Sequence, residues 1–234
     1  MSLTILAAAQ EAPPPTNLPD TSKLPAVPSA PRAQVHPQYV VVLDAAHGGN
    51  DTGARFSDTL LEKDLALGFA VRLRQALSSH GIQVVMTRET DVPVPITARG
   101  ETANRALAAA CITLHATATG SGVHLFTSSL APMAATKFLP WQSAQAAYVS
   151  QSLRLSSEIS TALGHAAVPV TQGRTSLQPM DSFACPAVAV EIAPLAGGNT
   201  TKAAPLTDVA YQNKILDALT SAVTQWRNDW RQQP

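Results

Sequence analysis

The chain has 234 residues, 45% hydrophobic and 14% charged, with 16 basic against 16 acidic side chains and therefore no net charge. Binding to nucleic acid or anionic lipid through a long-range field needs a basic face, and no Lys/Arg cluster occurs along the sequence, so no nucleic-acid partner is expected. No apolar run approaches the ~20 residues of a bilayer-crossing helix, which excludes an integral membrane span.

Residues 1–37 hold 8 of the 18 prolines and no aromatic side chain. Such a segment cannot bury enough apolar surface to offset the entropy of ordering it, and it reads as a disordered leader or linker. Near its start, Leu-Thr-Ile-Leu-Ala-Ala-Ala followed by Gln-Glu-Ala is similar to the end of a signal-peptide apolar core with a small-residue cleavage site, although no basic start precedes it. Residues 38–234 have the size of one domain with a single core.

Within that domain, YVVVLDAAHGGNDTG (39–53) is a β-branched run that gives way to a glycine-rich loop carrying His47. In residues 59–81, Leu65, Phe69, Leu73 and Leu77 recur at helical spacing and Gly81 supplies a stop, which places Glu62 in the first turn of a helix. IQVVMT (82–87) is a further strand and residues 96–110 a helix. CITLHAT (111–117) is a buried strand with His115 near its end, and GVHLFT (122–127) another strand. A long helix follows over 142–163, then CPAVAVEIAPL (185–195), a strand carrying Glu191 near its end. The last helix, 206–231, docks through the stripe Leu216, Leu219, Val223, Trp226 and Trp230. This alternation is that of a layered α/β fold, a mostly parallel twisted sheet with helices on both faces.

Open parallel sheets bind ligands beyond the carboxyl ends of their strands, so His47, His115 and Glu191 converge on one rim and Glu62 reaches it from its helix start. Two imidazoles and one carboxylate leave a fourth tetrahedral position for water, the pattern of a catalytic zinc site, and the second glutamate is then free for proton transfer. Non-haem iron uses a similar donor set. Thr59 and Glu62 also fit a capping box in which the glutamate only reaches back to a backbone N–H, and His47 alone fits an exposed turn. His115 and Glu191 are harder to explain that way, because an ionisable group ending an apolar strand must find a partner or lose its charge.

Other residues receive plainer readings. His124 is expected on the solvent side of its strand, with a place facing the site as the alternative. Asp44 is a weaker candidate for orienting a metal-bound imidazole. Cys111 and Cys185 are expected as two buried small apolar side chains, with a disulfide between neighbouring strands as the alternative. Four residues of strand put Cys111 roughly 13 Å from His115, too far to share its metal. A serine hydrolase would need a G-x-S-x-G elbow and a phosphate loop its Walker lysine, and the sequence has neither.

Taken in order, VVLDAAHGG, LLEKDLAL, VVMTRETD, ANRA (103–106), LHA and PAVAVEI make the chain from about Tyr39 onward resemble the zinc-dependent N-acetylmuramoyl-L-alanine amidases, the catalytic domains of many bacterial cell-wall hydrolases. The resemblance implies that His47, Glu62 and His115 bind one zinc ion and that Glu191 is the catalytic acid/base. It implies a peptidoglycan muramyl-peptide substrate cut at the amide between the muramic acid lactyl group and L-alanine, action in the periplasm or after secretion, and room for a protein activator. The sequence departs from the family pattern at Ala45 and Ala46 in place of Pro-Gly, at Thr117 in place of Asn, and at Ala193 and Pro194 in place of a Gly-Phe-type step. These changes touch the substrate groove rather than the ligands, and they motivate a rival reading as a non-catalytic wall-binding or regulatory domain. Some relatives block their zinc with a glutamate on an inserted helix; the corresponding stretch, residues 128–141, contains no Asp or Glu.

Overall fold

Five β-branched, small or apolar positions with only Asp44 among them make Val40–Ala45 a strand (β1) with every residue buried, as befits the interior of a parallel sheet. The computed structural model describes residues 39–134, 139–198 and 202–231; the expected leader lies outside the described residues. After β1 come Glu62–Ser79 (α1), Gln83–Met86 (β2), Ile96–Arg105 (α2), Ala110–Ala116 (β3), Val123–Ser128 (β4), Val149–His165 (α3), Val170–Thr175 (β5), Ala187–Ile192 (β6) and Val209–Arg231 (α4). They build one six-stranded sheet in the order β2-β1-β3-β6-β4-β5.

Strands β2, β1, β3 and β6 run parallel, while β4 runs antiparallel to β6 and carries β5 parallel to itself. The mostly parallel α/β architecture is as expected. Strand β5 was not, because Val-Thr-Gln-Gly-Arg-Thr has no apolar run; it is an edge strand that exposes much of its length, where pairing rather than burial defines the element. The expected helix over 96–110 ends at Arg105. The one over 142–163 divides into a 3-10 segment, Trp141–Ala147, interrupted at Ser143, and then α3.

Period-2 alternation sorts each strand between two cores. Val41 and Leu43 of β1, Ile112 and Leu114 of β3, and Val188 and Val190 of β6 meet α1, α3 and α4 through Phe69, Leu73, Leu155, Ile159, Ile215 and Trp226. The opposite face, with Val42, Cys111, Ala187 and Ala189, is covered more thinly by Ala103 of α2 and by Met180 and Phe183. Trp226 is buried and its indole N–H donates to the Ala109 carbonyl at 3.1 Å, as expected for docking of the last helix; the Trp230 side chain lies outside the described residues. Cys111 and Cys185 are buried on that thinner face, but as a disulfide with Cα atoms 6.2 Å apart rather than as free thiols. The alternative reading is the one realised, because the residue at the start of β3 and the segment entering β6 lie side by side.

Candidate metal centre

The same alternation that places Cys111 and Ala187 on the thinner face carries forward to His115 and Glu191, which are direct register partners across β3 and β6. On the other side of β6, His124 is the register partner of Glu191. Three neighbouring strands thus present His115, Glu191 and His124 in one row, each spaced by about 4.8 Å. His124 joins that row because β4 is antiparallel: the second residue of a parallel strand would sit at the opposite rim. Its expected solvent-side placement is therefore wrong; its ring is mostly enclosed and Nδ1 lies 2.8 Å from Glu191 Oε2.

His47 arrives from the loop after β1. It adopts a left-handed φ of +61°, followed by Gly48 and Gly49, also at positive φ, and the Gly48–Asp51 backbone pair closes a tight turn with hydrogen bonds of 2.9 and 3.2 Å. Two buried guanidiniums hold this loop from beneath. Arg88 donates to the carbonyls of Ala45, Ala46 and Lys63 at 2.7 to 2.9 Å; Arg99 donates to the carbonyls of Ala45 and His47 at 2.7 and 2.6 Å and to Asp44 Oδ1 at 2.7 Å. Asp44 is thus committed to Arg99 and to the Thr87 hydroxyl, and support of an imidazole falls instead to Asp51, whose carboxylate oxygens lie 2.9 Å from His47 Nδ1. Asp51 stands four residues after the histidine across a two-glycine turn, a spacing that could have singled it out.

Glu62 opens α1 but does not cap it. Leu61 is the N-cap and makes no side-chain cap bond, which sets the Thr59–Glu62 capping box aside. The buried Glu62 carboxylate instead accepts from the Ala54 amide at 2.8 Å and the Ala116 amide at 3.3 Å. Its two oxygens also stand 3.1 Å from His47 Nε2 and 2.9 Å from His115 Nδ1, and the two imidazoles meet edge to face with centroids 5.5 Å apart. Burial alone would raise the Glu62 pKa, but hydrogen bonds from His115, His47 and Ala54 outweigh it and hold the carboxyl well below the usual carboxylate range. The hydrogen bond to Glu62 in turn raises the His47 pKa, against burial and with help from Asp51.

Metal-ligand atoms from His47, Glu62 and His115 lie within 4.8 Å of one another. The donor set fits a zinc ion: a buried carboxylate whose charged-type partners are two imidazoles, with a second carboxylate on Asp51 behind one of them, is a site short of positive charge. Gly53 completes the fit, since a Cβ there would fall 2.5 Å from His47 Cδ2 and 2.6 Å from Glu62 Oε2. Glu191 stays apart from the three, tied to His124 and with its side chain 31% exposed. The arrangement can hold a dication and keep a separate carboxylate beside it for proton transfer.

The family profile of the N-acetylmuramoyl-L-alanine amidases matches residues 41–225. Among curated relatives, the N-acetylmuramoyl-L-alanine amidase AmiC of Neisseria meningitidis serogroup B is 34% identical over 106 residues, 43% of this chain and 26% of that protein. The N-acetylmuramoyl-L-alanine amidase AmiA of Escherichia coli K12 is 36% identical over 106 residues, 43% of this chain and 37% of its own length. The chain therefore spans about a quarter to two-fifths of these relatives. Among solved structures, the catalytic domain of the amidase CwlV from Bacillus (Paenibacillus) polymyxa var. colistinus superposes with a TM-score of 0.63 at 22% identity, covering 82% of this chain and 99% of that one. The CwlD amidase of Clostridioides difficile, solved in complex with the GerS lipoprotein, superposes at 0.57 and 20% identity, covering 82% and 100%. These structural likenesses establish the fold; the family profile, which spans most of the sequence and includes His47, Glu62, His115 and Glu191, establishes that the chain belongs to the N-acetylmuramoyl-L-alanine amidase family.

Proposed function

We propose that the protein is a zinc-dependent hydrolase that cleaves the amide between N-acetylmuramic acid and the L-alanine of peptidoglycan stem peptides. The observation that carries the reading is a three-donor His47–Glu62–His115 cluster with a separate carboxylate, Glu191, as the register partner of His115 on the neighbouring strand. In this reading His47, Glu62 and His115 hold the ion, Asp51 keeps the His47 ring oriented, and the two buried arginines keep the His47 loop from moving. When bound, zinc acidifies a water molecule and polarises the scissile carbonyl. Glu191 takes the proton of the attacking water and delivers it to the departing L-alanine amine, so the same carboxylate acts first as base and then as acid. Its partial exposure leaves it open to the substrate, and strand pairing sets its backbone beside that of His115.

Action outside the cytoplasm follows from the substrate and is supported by the Cys111–Cys185 disulfide, a bond that persists in oxidising compartments. Among the described residues no helix is long and apolar enough to cross a membrane. The lipoprotein bound to CwlD supports a protein activator as a further partner.

The test is zinc content together with release of L-alanine amino termini from purified peptidoglycan, on wild type and Glu191→Gln in parallel. One equivalent of zinc in both proteins, with turnover lost by orders of magnitude in the variant alone, is the expected result. Zinc bound by a wild type that turns nothing over, even with its activator, would return the protein to a wall-binding role.

A further inference from the structure

We propose that His124 is the positioning residue for Glu191, holding one carboxylate oxygen so that the other is presented for proton transfer. The inference rests on the reading of Glu191 as the acid/base. A glutamate side chain has three rotatable torsions and loses rotamer freedom when it is fixed. A general base must nevertheless stand within hydrogen-bond reach of the proton it takes, and an error of about 1 Å can cost about 100-fold in rate. Strand register fixes only the Glu191 backbone. Among the described residues, its carboxylate is held through Oε2 by His124 Nδ1 at 2.8 Å, and Oε1 has no hydrogen-bond partner.

The imidazole is itself held by its surroundings. A Cβ on Gly120 would lie 2.5 Å from both Cε1 and Nε2 of the His124 ring, so the glycine backbone, at φ +84°, lies against the outer edge of the ring. Phe126, two residues along the same strand face, approaches edge-on with centroids 6.5 Å apart. The His124 side chain is 15% exposed against 31% for Glu191, so the supporting residue sits deeper than the one it supports. With Glu191 ionised, Nδ1 must be the protonated ring nitrogen, because a carboxylate only accepts. His124 stands outside the three-residue cluster and is separated from His115 by the whole of β6, so its contact with the site is through the glutamate.

The experiment compares the full-length wild type with His124→Ala, His124→Asn and Glu191→Gln, reading zinc content, thermal melting, and kcat and KM on soluble muramyl peptides. His124→Ala should keep its zinc and a KM within about twofold while kcat falls about 10- to 100-fold. His124→Asn, whose amide N–H lies close to the place of Nδ1–H, should recover most of that loss. Long-range proton–nitrogen NMR of the imidazoles gives a readout independent of turnover: His124 should be protonated at Nδ1 in wild type. Wild-type kcat in His124→Ala, an Asn variant as slow as the Ala variant, loss of zinc from both, or a ring bare at Nδ1 would each overturn the positioning role. Wild-type turnover in Glu191→Gln would instead overturn the reading of Glu191 on which it depends. If His124→Ala fails to melt as a folded protein, the Asn variant and the ring tautomer decide the matter.

Discussion

A methyl group on residue 53 would fall within 2.7 Å of His47 Cδ2, His47 Nε2 and Glu62 Oε2, at a φ of +60° that disfavours any L side chain. Gly53→Ala should therefore push two of the three donors apart and weaken zinc binding by at least about 10-fold, in the range found when the surroundings of metal ligands are altered. Competition against a chelator measures this, and unchanged far-UV circular dichroism should show the fold intact. Asp51→Ala probes the opposite side of the same ring. With the 2.9 Å contact to His47 Nδ1 removed, zinc affinity or activity should fall about 10- to 100-fold; equal affinity would mean that the glycine turn alone orients the imidazole. Of the site, the sequence shows the residues whose chemistry is conspicuous in its place: His115 and Glu191 each end an apolar run, and Glu62 opens a helix. Asp51 and Gly53 act through the folded path of one loop, while Arg88 and Arg99 reach that loop from beyond β2 and from α2, and no local pattern tells whether such a side chain supports a ring or faces water.

Two contacts between elements carry their own expectations. The Cys111–Cys185 bond joins the start of β3 to the chain entering β6, the strands on which His115 and Glu191 are partners four positions further along. Its sequence separation is 74 residues, and a cross-link closing a loop of that order contributes about 2–4 kcal/mol. Reduction, or replacement of both cysteines by serine, should lower the denaturant midpoint accordingly. At the far rim, the Tyr211 hydroxyl of α4 is shared between the Gly122 and Ala193 carbonyls at 3.0 and 2.9 Å, pinning the helix to the segments that flank β4 and β6. Tyr211→Phe should cost about 1–3 kcal/mol by leaving the buried Ala193 carbonyl short of a donor, while the Gly122 carbonyl keeps the Ala193 amide at 2.9 Å. Burial pushes the Tyr211 pKa up to about 12, above its unfolded value of about 10. Above pH ~10 the unfolded chain therefore loses its phenol proton first, and the contribution present below that pH is lost as pH rises toward 12. Fluorescence-monitored unfolding between pH 9 and 12 should show this loss in wild type and less of it in Tyr211→Phe. Neither contact could be read with assurance from the sequence. The disulfide depended on which strands are neighbours, and Tyr211 on the antiparallel course of β4, the same inversion that brings His124 to Glu191.

For the whole molecule, the layered α/β plan was legible because β1, β3 and β6 are buried runs that are apolar apart from Asp44, Thr113, His115 and Glu191, and α1 keeps a clean helical period. What the pattern could not supply was the sheet order beyond β6: β5 is a polar edge strand, and apolar periodicity does not record whether a strand runs parallel or antiparallel. The same plan sets what metal removal should do. His47, Glu62 and His115 belong to the loop after β1, the start of α1 and the end of β3, so a bound ion ties together three separate elements at one rim. The two apolar clusters on the sheet faces do not include them, and the fold should survive without the ion. A ligand that binds only the folded state adds about 2.7 kcal/mol when present at 100 times its dissociation constant, and for a domain of this size each kcal/mol moves Tm by about 2–4 °C. Chelation should thus lower Tm by about 5–10 °C with helix and strand content retained, and added zinc should restore it. Calorimetry on chelated and reconstituted protein decides it: a Tm indifferent to zinc would mean that the three donors hold no such ion, and collapse of the fold on chelation would mean that the metal, rather than the two cores, organises the sheet.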